Sequence, residues 1–79
     1  MNVYFCHERG EEEGLYIVAQ SEGRARSIYS GFSGVRFLKV KCRAILRGVE
    51  GEEDILQVGN PKLKEYGISY YNEKGEEME

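Results

Sequence analysis

The sequence predicts a small two-layer α+β domain. A three- to four-stranded mixed or antiparallel sheet carries one main helix packed on one face, in the order β-β-α-β-(α)-β. Three observations lead there. Leu15–Gln20 (LYIVAQ) is a continuous apolar run of strand length. Ala25, Ile28, Tyr29 and Phe32 recur at the spacing of one helix face. Val35–Leu46 alternates apolar and polar residues as a half-buried strand does.

The chain has 79 residues, enough for a single domain spanning 1–79. Hydrophobic residues make up 41%, with six tyrosines and three phenylalanines, so a core is expected. So short a chain buries a modest share of its surface, and a disulfide, a metal or oligomerisation commonly adds stability. No apolar run approaches the about 20 residues of a membrane span. The start, MNVYFCHERG, lacks a basic segment leading into an apolar one, so a cytoplasmic location is expected. Two cysteines, Cys6 and Cys42, fit that setting as reduced, partly buried thiols. A disulfide between them requires their strands to be neighbours.

Taken in order, residues 2–8 (NVYFCHE) read as a strand with Val3, Phe5 and His7 on one face and Tyr4 and Cys6 on the other. Residues 9–14 (RGEEEG) form a polar hairpin loop. Leu15–Gln20 is the second strand. Ser21 is suited to cap a helix, and Glu22 sits where the helix dipole favours a carboxylate. The helix is expected to cover about ten residues, residues 21–30, and to stop at Gly31 in the left-handed conformation. Gly23 in its first turn costs helix stability relative to alanine.

The third strand runs from Val35 through Leu46, or to Arg47 at its outer limit. Leu38, Val40, Cys42, Ala44 and Leu46 are expected to meet the helix. Phe37, Lys39, Lys41, Arg43 and Ile45 then face away, with the three cations roughly 7 Å apart. Residues 48–54 are an acidic, glycine-rich loop. Ile55–Val58 is either a short strand or a helical turn. Asn60 and Pro61 open a two-turn helix that buries Leu63 and Tyr66 and ends at Gly67. Residues 68–72 (ISYYN) make a last strand, and residues 74–79 a disordered tail.

Net charge is −3, but it is unevenly spread. Between Arg24 and Arg47 lie seven basic residues and no acid. All fourteen carboxylates lie outside that stretch. The plainer reading is internal pairing, with acidic flanks lying beside the basic strand. The sharper reading is a binding face built from Arg24, Arg26, Lys39, Lys41 and Arg43. Aromatics on adjoining strands, Tyr16 or Tyr70, would let such a face stack bases while cations meet phosphates.

Catalytic chemistry finds little support. Zinc wants four ligands with close pairs, and this chain offers two distant cysteines and one histidine. Cys6 and His7 point to opposite faces of an extended strand and cannot act as nucleophile and base together. Cys42 could meet His7 only across strands. The carboxylates of Glu11–Glu13 and Glu50–Asp54 sit in exposed loops, where nothing perturbs their acidity. Gly31–Gly34 (GFSG) matches the spacing of a nucleic-acid-clamping GxxG loop but follows a helix into a strand. No catalytic residue, metal or cofactor is therefore expected.

Between Leu15 and Leu46, and especially at Ser21, Gly23, Ala25 and Arg26, the chain resembles small uncharacterised proteins of bacteriophages, prophages and conjugative elements of Gram-positive bacteria. The shared pattern is an apolar strand, Ser-x-Gly-x-Ala-Arg opening a helix, and a basic strand. Lys64–Tyr70 has the same character. The resemblance implies a genomic setting and carries no activity. The leading expectation is a non-enzymatic accessory or interaction protein with a protein partner, with no membrane role. A homodimer through an open sheet edge is in keeping with the small core. The alternative is a nucleic-acid-binding module using the basic face of strand 35–47.

Overall fold

A computed structural model describes residues 1–68, 70–71 and 77–78. Its main sheet has four strands: β1 (Asn2–Glu8), β2 (Gly14–Ala19), β3 (Val40–Arg47) and β4 (Asp54–Leu56). Their order is β3-β1-β2-β4, and every neighbouring pair is antiparallel. Helix α1 (Glu22–Ser33) covers one face, and the short helix α2 (Pro61–Glu65) lies against the other. This is the α+β arrangement that the sequence predicts. Among the described residues, no helix is long and apolar enough to cross a membrane.

The period-two rule for strands sorts the core into two clusters. Tyr4, Cys6, Ile17, Ala19 and Val40 meet Ala25 and Tyr29 of α1. Val3, Tyr16, Val18 and Leu56 meet Leu63 and Ile68 on the opposite side. Residues 50–66 thus close part of the second sheet face. Ile55 belongs to a strand, β4, which pairs with β2 through Tyr16–Leu56, Ile17–Ile55 and Val18–Asp54.

Helix α1 begins as expected: the Ser21 hydroxyl accepts the Arg24 amide at 3.2 Å. It ends later than the sequence suggests. Gly31 lies inside the helix, and Gly34 supplies the left-handed cap at φ 79°, its amide donating to the Ser30 carbonyl. Ser30 donates to the Val35 carbonyl and Ser33 to the Tyr29 carbonyl, which fastens the extra turn. Phe32 is 56% exposed instead of buried, and lines a depression with Ile55 and Val58.

The third strand is also shorter than its apolar alternation implies. Phe37–Lys39 forms a 3₁₀ turn, and β3 starts at Val40. The last residue of β1 is Glu8, whose partner is Val40. Earlier residues have no strand to pair with, so they close a turn in which the Lys39 amide donates to the Arg36 carbonyl. Leu38 is 78% exposed, not part of the helix face. Leu46 is displaced by a second departure. The β1–β3 register runs Tyr4–Ala44 and then Val3–Leu46, leaving Ile45 as an extra residue. This bulge resets the alternation, so Leu46 packs with Val3 on the α2 side.

Cys6 and Cys42 stand opposite one another in that ladder, with Cα atoms 4.2 Å apart, and form a disulfide on the α1 face. The expectation of two reduced thiols is corrected by the register, which puts both in one row on one face.

Asn60 caps α2 by accepting the Lys62 amide at 2.9 Å, and Pro61 is its first residue. At the carboxyl end, β5 (Tyr70–Tyr71) pairs with β6 (Glu77–Met78) in a separate two-stranded ladder. Within the expected strand 68–72, Tyr70–Tyr71 are strand and Ile68 is not, and Glu77–Met78 of the expected disordered tail are strand. Residues 69, 72–76 and 79, and the side chains of Tyr70, Tyr71, Glu77 and Met78, lie outside the described residues.

Two stability effects follow. Leu63→Ala should cost about 2–5 kcal/mol in urea unfolding, because Leu63 is fully buried, whereas Leu38→Ala should stay within about 0.5 kcal/mol. Gly14→Ala should cost about 1–3 kcal/mol in the same assay. A methyl there runs into the Cys6 carbonyl oxygen and comes within 2.9 Å of the His7 Cβ.

Candidate ligand-binding face

Toward the end left open by α2, the second face carries two cross-strand rows, the first of which runs under the α2 cluster at Tyr16 and Leu56. One reads Arg43, Phe5, Tyr16, Leu56, and the next reads Lys41, His7, Gly14. Lys41 and Arg43 are exposed, Phe5 and His7 half-buried, and Tyr16 buried. The Phe5 ring centroid lies 5.2 Å from that of Tyr16 and 5.6 Å from that of His7. Both contacts are tilted, within the range aromatic pairs prefer. The His7 Nδ1 sits 2.9 Å from the Glu8 carbonyl oxygen, within hydrogen-bond distance of an atom that can only accept.

Two of the five predicted binding residues are occupied elsewhere. Arg24 holds Glu53 with both Nε and Nη2, at 2.6 and 2.9 Å. Arg26 pairs with Glu22 at 3.1 Å, lies 5.5 Å from the Phe37 ring centroid, and has its Nε buried without a partner. Both belong to α1, on the far side of the sheet from the aromatic rows. Lys39 lies on the 3₁₀ turn instead of in strand register with Lys41. Its carbonyl accepts the Arg9 amide at 2.7 Å, which brings Arg9 to the same end of the sheet. Arg9, Phe5 and His7 are the residues that the sequence reading did not assign to the face. Their signal was present in the alternation of Val3, Phe5 and His7, but strand order alone decides which cations lie beside them.

The acids do not lie along the basic strand as internal pairing requires. Among the described residues, the ion pairs are Arg24–Glu53, Arg26–Glu22 and Lys62–Asp54, none involving Lys39, Lys41 or Arg43. Hydrogen bonding to Arg24 holds the Glu53 carboxyl below its ordinary range, and Lys62 does the same for Asp54. Arg24–Glu53 and Lys62–Asp54 are exposed, Arg26–Glu22 is partly so, and such pairs contribute little stability. Glu8, Glu11 and Glu13 gather with Tyr29 around a shallow depression on the α1 side. Burial raises the Tyr29 phenol, and the charges of Glu8 and Glu11 raise it further. Glu8, Glu11 and Glu13 thus gather on the α1 side, while Lys41 and Arg43 lie on the reverse face.

Cys42 faces Cys6, and both lie on the opposite side of the sheet from His7. The cross-strand Cys–His pairing considered from the sequence is not formed. No protein-family model, curated protein or solved structure matches the chain.

Tyr16 reports on the electrostatics of the face. Burial pushes its phenol above 10.0, and the Arg43 cation draws it partly back. Removing the cation in Arg43→Ala should move Tyr16 ionisation to still higher pH, read by ring NMR during titration. Because the folded value is raised, the stability contribution is full below pH 10.0 and is lost as pH rises through the folded value.

Proposed function

We propose that this protein is a non-enzymatic interaction module, an accessory of the kind mobile genetic elements encode, whose ligand is single-stranded nucleic acid. Its binding face comprises Phe5, His7, Lys41 and Arg43, flanked by Lys39 and Arg9. One observation carries the reading: half-buried aromatic rings lie next to exposed cations that form no ion pair among the described residues.

The physical logic is that of a stacking platform with a cationic rim. Phe5 and His7 offer ring surface to unstacked bases, which are available in single strands and hidden in duplexes. Lys41 and Arg43, across the strand from them, meet the phosphates that follow each base. Tyr16 backs Phe5 and keeps its ring oriented. The net negative charge of the chain is compatible with this because Glu8, Glu11 and Glu13 gather on the α1 side, and Glu22, Glu53 and Asp54 pair with other cations. The same cations oppose an antiparallel β3–β3 dimer, which would set like charges across from one another.

Fluorescence anisotropy with single-stranded oligonucleotides tests the reading. If Arg9, Lys39, Lys41 and Arg43 each meet a phosphate, log K should fall against log salt with a slope of about −3. Lys41→Glu combined with Arg43→Glu should abolish binding at moderate salt, whereas Lys64→Glu on α2 should leave it nearly intact. Phe5→Ala should weaken binding by about 1–3 kcal/mol without changing the salt slope. The reading fails if the wild-type chain binds neither DNA nor RNA single strands at low ionic strength.

A further inference from the structure

We propose that the Cys6–Cys42 disulfide is a redox-operated lock on this face, closed when oxidised and released by a dithiol reductant. The inference rests on the binding reading above. It starts from the placement of the two cysteines. Cys6 lies between Phe5 and His7, and Cys42 lies between Lys41 and Arg43. The ladder pairs Phe5 with Arg43, Cys6 with Cys42 and His7 with Lys41. The disulfide is thus the middle rung of the three that hold the site, with its sulfurs on the reverse side of the sheet.

Strand β3 needs such a rung more than its neighbours do. It is an edge strand, held along one side by β1 only. The bulge at Ile45 interrupts its ladder at one end, and the 3₁₀ turn at Phe37–Lys39 ends it at the other. The uninterrupted pairing between these defects is short and includes both binding rows. With the crosslink in place, the cations of β3 and the rings of β1 are fixed relative to one another. Without it, local opening of the edge separates them, and the ligand must meet the cost of ordering the strand.

The pair is also reachable. Cys6 is fully buried, but Cys42 is only partly covered where β3 meets α1. A reductant thiolate attacks the Cys42 sulfur. The Cys6–Cys42 bond breaks, a mixed disulfide forms at Cys42, and Cys6 leaves as a thiolate that takes up a proton. The second thiol of the reductant then attacks its own sulfur in that mixed disulfide. Cys42 is released and protonated, and the reductant departs as a cyclic disulfide. Two electrons and two protons pass from the dithiol to the protein, and oxidation reverses the exchange.

The test compares oxidised and dithiothreitol-reduced protein in two readouts, with mass spectrometry confirming the gain of two hydrogens. Amide exchange should accelerate about tenfold or more across Val40–Arg47 on reduction, with β2 unchanged. Affinity for a single-stranded oligonucleotide should fall about fivefold or more. The Cys6→Ala, Cys42→Ala double variant, shown to be folded by circular dichroism, should bind like reduced wild type and ignore the reductant. Unchanged exchange in β3 overturns the lock. Accelerated exchange with unchanged affinity overturns its control of binding. Absence of oligonucleotide binding in both redox states overturns the binding reading as well, whatever the exchange shows.

Discussion

The fold depends on β1 being paired on both sides. It is the only strand of the main sheet hydrogen-bonded to both β2 and β3, and α1 packs across all three. Alternation along β1 then divides the molecule. Tyr4 and Cys6 point to α1, while Val3, Phe5 and His7 point the other way. Every neighbouring strand must match that division row by row, because a slip of one residue would exchange the two faces. The amino terminus is tied in by the same end of the sheet: the Met1 carbonyl accepts the Val49 amide at 2.8 Å, and its ammonium donates to the Val49 carbonyl at 3.1 Å.

The two faces are covered unequally, and this produces the candidate site. Helix α1 runs over one face. On the other, α2 and Ile68 pack on Val3, Tyr16 and Val18. A five-residue helix cannot cover a whole sheet face, so the His7–Lys41 row lies at the far end. There, side chains that would be ordinary half-buried sheet residues become a surface with both ring area and positive charge. The redox pair adds a covalent tie under that surface without taking space on it.

Much of the local structure was legible in the sequence. Ser21, Asn60 and Pro61 mark helix starts because capping is a property of a few adjacent atoms. The apolar run 15–20 marks a covered strand because burial on both sides selects for it. The ends of β3 were not legible. Whether residues 35–39 extend as strand depends on whether β1 is long enough to pair with them, and that is a property of the register. The bulge at Ile45 was hidden for the same reason, since the unbroken alternation from Val40 to Leu46 conceals a change of partner. The site was half legible: Lys41 and Arg43 stand out as cations on one strand face, but their neighbours Phe5 and His7 come from a segment more than thirty residues away in the chain. Arg24 and Arg26 looked equivalent to them in sequence, yet helix geometry turns them toward Glu53 and Glu22.

The bulge at Ile45 also makes the response of the chain to a change of length uneven in a way that composition does not reveal. Exchanging Ile45 for another strand-forming residue leaves the count of positions intact, and its side chain is 36% exposed. Losing the position altogether would merge the two segments of β3 into one regular ladder. Leu46 would keep its pairing with Val3 and its place on the α2 side, because it would follow Ala44 directly in regular alternation. For the gene, a missing codon at this site shortens the strand without turning its side chains over, because what the position contributes is an offset in phase and not a partner in the ladder.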